Sequence, residues 1–293
     1  MAGSSLWLLM GVVLVGAVAV MARFRLANGI SADVMPSARA TPVWVWRWTG
    51  ITVGVVAAYL LAAEGSLGRG LLLAAPLFSF CALLGVLAGE FFPDARNGTT
   101  REAMLEVRRV HDYLPKRLSR AVGAAGCVLF GLLALTTAMA SPDDQGRAGR
   151  SLSRTCDAIF SEGSGPWVGS FYSVPLAIIV AVGLVLAGVV LRRILLRARP
   201  QDLVGRLGED NFMRRRAASA VTGACGVLIA LPLLGVASLT AAGLLRSSCP
   251  PPWWSLTGWV LIASIPMWLA LLVFSVTAIV PVRRWIRGEA NHG

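Results

Sequence analysis

The stretch RRRAASAVTGACGVLIALPLLGVASLTAAGLL, Arg214 to Leu245, opens on three arginines and then contains no Asp, Glu, Lys, Arg or His. Crossing about 30 Å of hydrocarbon at about 1.5 Å per residue takes roughly 20 apolar residues. Residues 217–245 therefore read as a membrane span entered from a basic edge. The run is longer than a bilayer needs, so it must tilt, kink or extend past the hydrocarbon, and Pro232 marks a kink position.

The same pattern recurs on either side. Seven such spans are expected, at about 5–22, 43–63, 70–89, 121–141, 168–191, 217–245 and 254–282. The second is the weakest, with Arg47 near its start and within snorkelling distance of the headgroups. Pro266 is a further kink position, inside the last span. The expected fold is an all-α polytopic transmembrane helical bundle, a single membrane domain over 1–293. A signal peptide is the alternative for 5–22, but Met1–Ser5 has no positive charge, and Arg23 and Arg25 follow the apolar run.

Composition agrees. Only 14% of the residues are charged and 56% are hydrophobic, whereas a soluble domain carries about 25% charge. The net charge of +12 does not point to nucleic acid, because the basic residues lie between the apolar runs. Segments 23–47, 90–120, 192–216 and 283–293 hold 22 of the 27 Lys and Arg residues. Only Arg69, Arg147, Arg150, Arg154 and Arg246 fall in the other connections. Basic residues accumulate on the cytoplasmic side, which puts the N-terminus outside and the C-terminus inside. Arg101, Arg108, Arg109, Lys116, Arg117, Arg192, Arg193, Arg214, Arg215 and Arg216 are the expected contacts to anionic inner-leaflet lipid or an acidic partner. Lys116 is the sole lysine. Together with abundant Ala, Gly and Val, that is the composition of a GC-rich bacterial genome, and the expected location is the cell membrane.

Tryptophans sit at the span edges: Trp44, Trp46, Trp48, Trp167, Trp253, Trp254 and Trp285. Amphipathic rings prefer the headgroup level, so these read as anchors rather than ligand-stacking residues. Gly50 with Gly54 and Gly85 with Gly89 have the i, i+4 spacing that lets two helices approach closely, within the bundle or against another membrane protein.

Residues 121–138 align without gaps to 220–237, with identities that include Val122/Val221, Leu129/Leu228 and Leu135/Leu234. Each segment follows a basic cluster and precedes a connection with one cysteine and a Pro-Trp pair. The segments 114–200 and 213–290 are either a parallel hairpin repeat or two spans drawing on the same Ala, Val and Leu. Cys156 and Cys249 occupy matching connections outside the reducing cytosol and are the disulfide candidates. Cys81, Cys127 and Cys225 lie inside spans as small apolar packing residues.

Segment 99–114 is the most organised polar stretch. Thr99 and Glu102 fit a capping box, and Met104, Val107, Val110, His111 and Leu114 recur at helical spacing. It reads as a cytoplasmic amphipathic helix lying on the inner leaflet, as a connector folded under the bundle, or as a docking site for a soluble partner, with Pro115 ending or bending it. The run Arg108-Arg109-Val110-His111-Asp112-Tyr113-Leu114-Pro115 before a span resembles a stretch found in actinobacterial integral membrane proteins of unassigned function. That resemblance implies a bacterial plasma membrane and no activity.

No catalytic, cofactor or metal set stands out. His111 and His292 are the only histidines, and no phosphate-binding glycine loop follows a strand pattern. Ionisable residues, the usual mark of ion and proton pathways, are missing from the span interiors. The leading expectation is a non-enzymatic accessory, scaffold or lipid-contacting component of the envelope, with no cofactor. The alternative is a small permease or exporter for an uncharged or amphiphilic solute, using the proline-interrupted spans and a midplane cavity lined by Thr136, Thr222 and Ser264. A third option, an intramembrane enzyme, would need Asp94, His111, Asp112 and Asp202 to converge.

Overall fold

The computed structural model describes residues 37–63, 68–91, 114–156, 161–196 and 207–279. The chain divides into Met1–Thr41 and Pro42–Gly293, and of the first unit only the helical residues from Ser37 are described. Six helices account for most of the described residues: α1 Ser37–Ala63, α2 Arg69–Phe91, α3 Lys116–Ala138, α4 Ser170–Leu196, α5 Leu207–Leu245 and α6 Pro252–Ile279. An antiparallel hairpin, β1 Leu152–Thr155 with β2 Ser161–Ser164, lies between α3 and α4.

All six helices are long and apolar enough to cross a membrane, over Val45–Ala63, Arg69–Gly89, Lys116–Ala138, Ser170–Ile194, Arg214–Leu245 and Pro252–Ile279. Helix is the form these runs take because hydrocarbon offers no partner to a backbone N–H or C=O, so each must bond within its own segment. Hydroxyls follow the same rule: Ser79 donates to Ala75 O, Thr222 to Ala218 O and Ser238 to Leu234 O. The apolar surface points outward as well as inward. Tyr59, Leu135, Val185, Leu256, Trp259 and Phe274 are each more than three-fifths exposed, a surface suited to lipid rather than water. The chain is a multi-pass membrane protein by this measure. Segment 5–22, expected as a seventh span, lies outside the described residues, as does 99–113 of the amphipathic segment.

Helix α5 forms the axis. Within its apolar window 83% of the residues are buried, against 6% for α1 and 17% for α6. It packs against α2, α3, α4 and α6, which is why it is apolar on every side. In lipid, helices gain little from the hydrophobic effect, so association depends on close packing, and small residues permit it. A methyl group on Gly226 would overlap Ser275 Oγ of α6, and one on Gly258 would come within 2.7 Å of Leu245. These contacts run α5 and α6 antiparallel. Gly226 beside Val122 and Gly126 beside Ile229 run α3 and α5 in the same direction. Gly183 beside Leu228, and Arg214 bonded to Ile194 O, run α4 antiparallel to α5. The helices thus alternate. The starts of α1, α3 and α5 share one end of the bundle, and the starts of α2, α4 and α6 share the other.

Several sequence boundaries move. Helix α3 begins at Lys116, directly after Pro115, whose φ of −67° suits the residue preceding a helix. Pro115 therefore precedes the start of a helix, and the segment it was expected to end or bend lies outside the described residues. Helix α3 stops at Ala138, short of 141, because Ser141 pairs instead with Ser151. Helix α5 starts at Leu207, well before Ala217. Pro76, Pro175, Pro232 and Pro266 each lie inside a single uninterrupted helix. The β-hairpin was not anticipated.

Candidate functional site

The two ends of the bundle are chemically different. At the end that carries the starts of α1, α3 and α5, two arginines are tied to helix ends. Arg47 donates Nη1–H to Ile279 O at 2.9 Å, and Arg214 donates Nη1–H to Ile194 O at 3.3 Å. Each is a charge-assisted hydrogen bond from a guanidinium to a backbone carbonyl of another helix. Arg47 thus ties α1 to α6. Arg214 is 6% exposed and is committed inside the protein. Lys116, Arg117, Arg192, Arg193 and Arg215 are exposed, and Arg216 is half-buried. Arg101, Arg108 and Arg109 lie outside the described residues.

At the opposite end, the connections α3–α4 and α5–α6 are joined by a disulfide between Cys156 and Cys249, residues 93 apart in sequence. Under it lies a second, smaller apolar cluster of Leu152, Trp167, Leu244 and Trp254. Trp167 is 1% exposed, and its indole N–H donates to Thr136 O at 2.8 Å, satisfying a carbonyl near the end of α3. Trp254 is 6% exposed and meets Trp253 edge-on. These two tryptophans are internal packing residues and not headgroup anchors. Trp46, Trp48 and Trp253 are exposed, as anchors would be. The side chains of Trp44 and Trp285 lie outside the described residues.

The loop before β1 is closed by Asp143. Its carboxylate accepts the backbone N–H groups of Gln145 and Arg147 and pairs with Arg147 Nε at 2.8 Å. Desolvation pulls this carboxyl upward, but those donors and the Arg147 charge outweigh it and hold the group below its usual range. Gly146 and Gly149 both take positive φ here. At Gly149 a side chain is doubly barred, because a methyl would also overlap Ser170 Oγ. That contact seats the loop on the start of α4.

The loop brings together arginines that sequence reading treated only as the minority charges of their side. Arg69 Cζ and Arg150 Cζ lie 4.3 and 3.9 Å from the centroid of the Phe171 ring. Arg154 Cζ lies 5.4 Å from the Trp254 ring. These are cation–π distances. No local signal announced these contacts, because Arg69 lies 102 residues from Phe171 and Arg154 lies 100 residues from Trp254 in sequence.

The residues proposed for a permease cavity do not converge. Thr136 lies near the disulfide-bridged end of α3, and Thr222 lies toward the opposite end of the parallel helix α5. Both hydroxyls bond to their own helix, as does Ser264, which also accepts the indole N–H of Trp268. Among the described residues no three His, Cys, Asp or Glu side chains gather as metal ligands. Asp94, His111, Asp112 and Asp202 lie outside the described residues. Comparison with protein-family models, curated proteins and solved structures finds no match, so the resemblance of residues 108–115 carries no argument beyond the sequence.

Proposed function

We propose that the chain is a non-enzymatic, seven-span plasma-membrane protein, N-terminus outside and C-terminus inside, that serves as an accessory or scaffold component of a bacterial envelope. On this reading its arginine-rich end faces the cytoplasm and contacts anionic inner-leaflet lipid, or an acidic membrane-protein partner, through Lys116, Arg117, Arg192, Arg193 and Arg215.

The observation that supports a scaffold over a carrier is the filled axis. Leu228, Ile229, Ala230, Val236 and Ala237 of α5 are at most 1% exposed, and glycines close α5 onto α6. Moving a solute through this bundle would require prising apart helices held by backbone-level contact. The permease alternative also needs polar groups to meet at mid-depth, and Thr136 and Thr222 sit near opposite ends.

Two measurements test the reading. A reporter fused after Gly293 is expected to be cytoplasmic, and an external signal would overturn the orientation and the lipid-facing role of the arginines. Purification from membranes is expected to recover one reproducible protein or anionic-lipid partner. Partner-free protein that moves a solute across vesicles would replace this proposal with the permease.

A further inference from the structure

Two guanidinium groups rest against one ring at the disulfide-bridged end. Arg69 is the first residue of α2, Arg150 is held in the loop before β1, and Phe171 belongs to the first turn of α4. Placing two cations against the same ring is costly unless something negative accompanies them. Phe171 supplies only a ring quadrupole. Among the described residues the carboxylate paired with Arg150 is Asp143, 4.0 Å from its Nη1, an ion pair too long for a hydrogen bond, and this carboxylate is already engaged by Arg147. The Nε–H groups of both Arg69 and Arg150 are sealed from solvent and have no acceptor among the described residues. Buried donors are ordinarily satisfied, so each unmet one calls for an explanation, and an absent ligand is one.

The positions are built rather than incidental. Arg150 donates its backbone N–H to Ser141 O, and its own carbonyl accepts the Trp167 N–H at 3.0 Å. Its side chain is only 18% exposed. The Gly149–Ser170 contact fixes the loop against the helix that carries Phe171. Arg69 opens the apolar window of α2, so the pair lies where that span reaches the membrane boundary.

We propose that Arg69 and Arg150, held against Phe171, form an anion site that takes a phosphate group. Two guanidinium groups beside one ring, each with a buried donor that lacks an acceptor among the described residues, suit a tetrahedral oxyanion with several acceptor oxygens. The phosphate belongs either to an anionic lipid headgroup or to a soluble phosphate compound. The site is independent of which end of the bundle is cytoplasmic and of the scaffold role.

The test uses the full chain in neutral-lipid nanodiscs. One arm titrates inorganic phosphate by calorimetry. The other exchanges in phosphatidylglycerol and counts bound lipid by native mass spectrometry. Saturable binding in the first arm assigns a soluble ligand, and retained phosphatidylglycerol in the second assigns a lipid. Arg69→Gln and Arg150→Gln are each expected to weaken the productive arm at least tenfold, while Arg246→Gln, an exposed arginine at the same end of the bundle, leaves it within twofold. A variant enters the comparison once its Cys156–Cys249 bond has formed. Where a glutamine variant fails that check, the lysine variant replaces it, keeping the charge but losing the fork, with the same expected loss. Absence of binding in both arms, or glutamine variants that bind like the unaltered protein, would overturn the proposal.

Discussion

Gly50 of α1 and Gly85 of α2 meet backbone to backbone: a methyl group on Gly50 would lie 2.6 Å from Gly85 Cα, and one on Gly85 would lie 2.7 Å from Gly50 Cα. The contact continues along the antiparallel pair. Gly54 faces Phe78, and Gly70 abuts Leu61 O so closely that no side chain fits. Helix α1 is otherwise exposed, so this seam is its principal described attachment to α2.

Substitution at the seam is therefore expected to peel α1 away. Gly50→Leu or Gly85→Leu must displace backbone rather than a flexible side chain, and overpacking costs about 1–3 kcal/mol where a core can adjust. The expected outcome is a lowered thermal midpoint in detergent for either variant. Gly123→Leu, at a glycine whose added Cβ would meet nothing within 4 Å, should leave the midpoint unchanged.

The Cys156–Cys249 bond closes a separation of 93 residues, and loops of about that length gain several kcal/mol when unfolding scatters the chain. Helices that stay inserted in lipid do not scatter, so the gain here is expected to be smaller, on the order of 1–2 kcal/mol. Cys156→Ser, Cys249→Ser and the double variant should lose the same amount. Reductant should lower the midpoint of the unaltered protein and leave that of all three variants unmoved.

How much of this was legible follows from what hydrocarbon forbids. Charges are excluded from a span, so charge-free runs located all six described helices, and the position of two cysteines in connections between spans marked the disulfide. Hydropathy could not rank the helices. Helix α4 is the more hydrophobic of the two, yet α5 is the buried axis. Lipid is as apolar as a packed interior, so apolarity does not say which way a residue faces, whereas the Ala and Gly content of α5 reflects close packing. Internal similarity was equally blind to environment: Leu135 is 63% exposed while its counterpart Leu234 is 5% exposed. Trp167 looked like a headgroup anchor because its partner, the Thr136 carbonyl, is distant in sequence. The Arg69–Phe171–Arg150 arrangement depends on three separate connections meeting, which no local pattern encodes.

Arg214 and Arg215 are neighbours in sequence with opposite fates, and that contrast makes a sharp comparison. Arg214 is buried and donates to Ile194 O, so Arg214→Gln should destabilise by about 1.5–3 kcal/mol, the range for charged hydrogen bonds. Arg215 is exposed, and Arg215→Gln should fall within about 0.5 kcal/mol of the unaltered protein. Equal effects in a denaturation series would mean that the Arg214–Ile194 hydrogen bond contributes nothing.

The Asp143 loop supplies a pH dependence whose sign can be worked out. Its folded carboxyl titrates below its ordinary value because Arg147 and the loop amides favour the ionised form over an opposing desolvation. A group depressed in the folded state contributes stability that is fully present above its unfolded pKa, near 4, and is lost as pH falls through the lower folded value. The loop should hence be intact at neutral pH and loosen only in acid, below about pH 4. Because this loop seats Arg150, protease cleavage between Ser141 and Ser151 in detergent-solubilised protein should rise at acid pH, measured with an acid-active protease. Asp143→Asn removes the titrating group, so it should be cleaved faster at neutral pH and show little further change on acidification. A variant that kept the acid dependence would place the titration on another group.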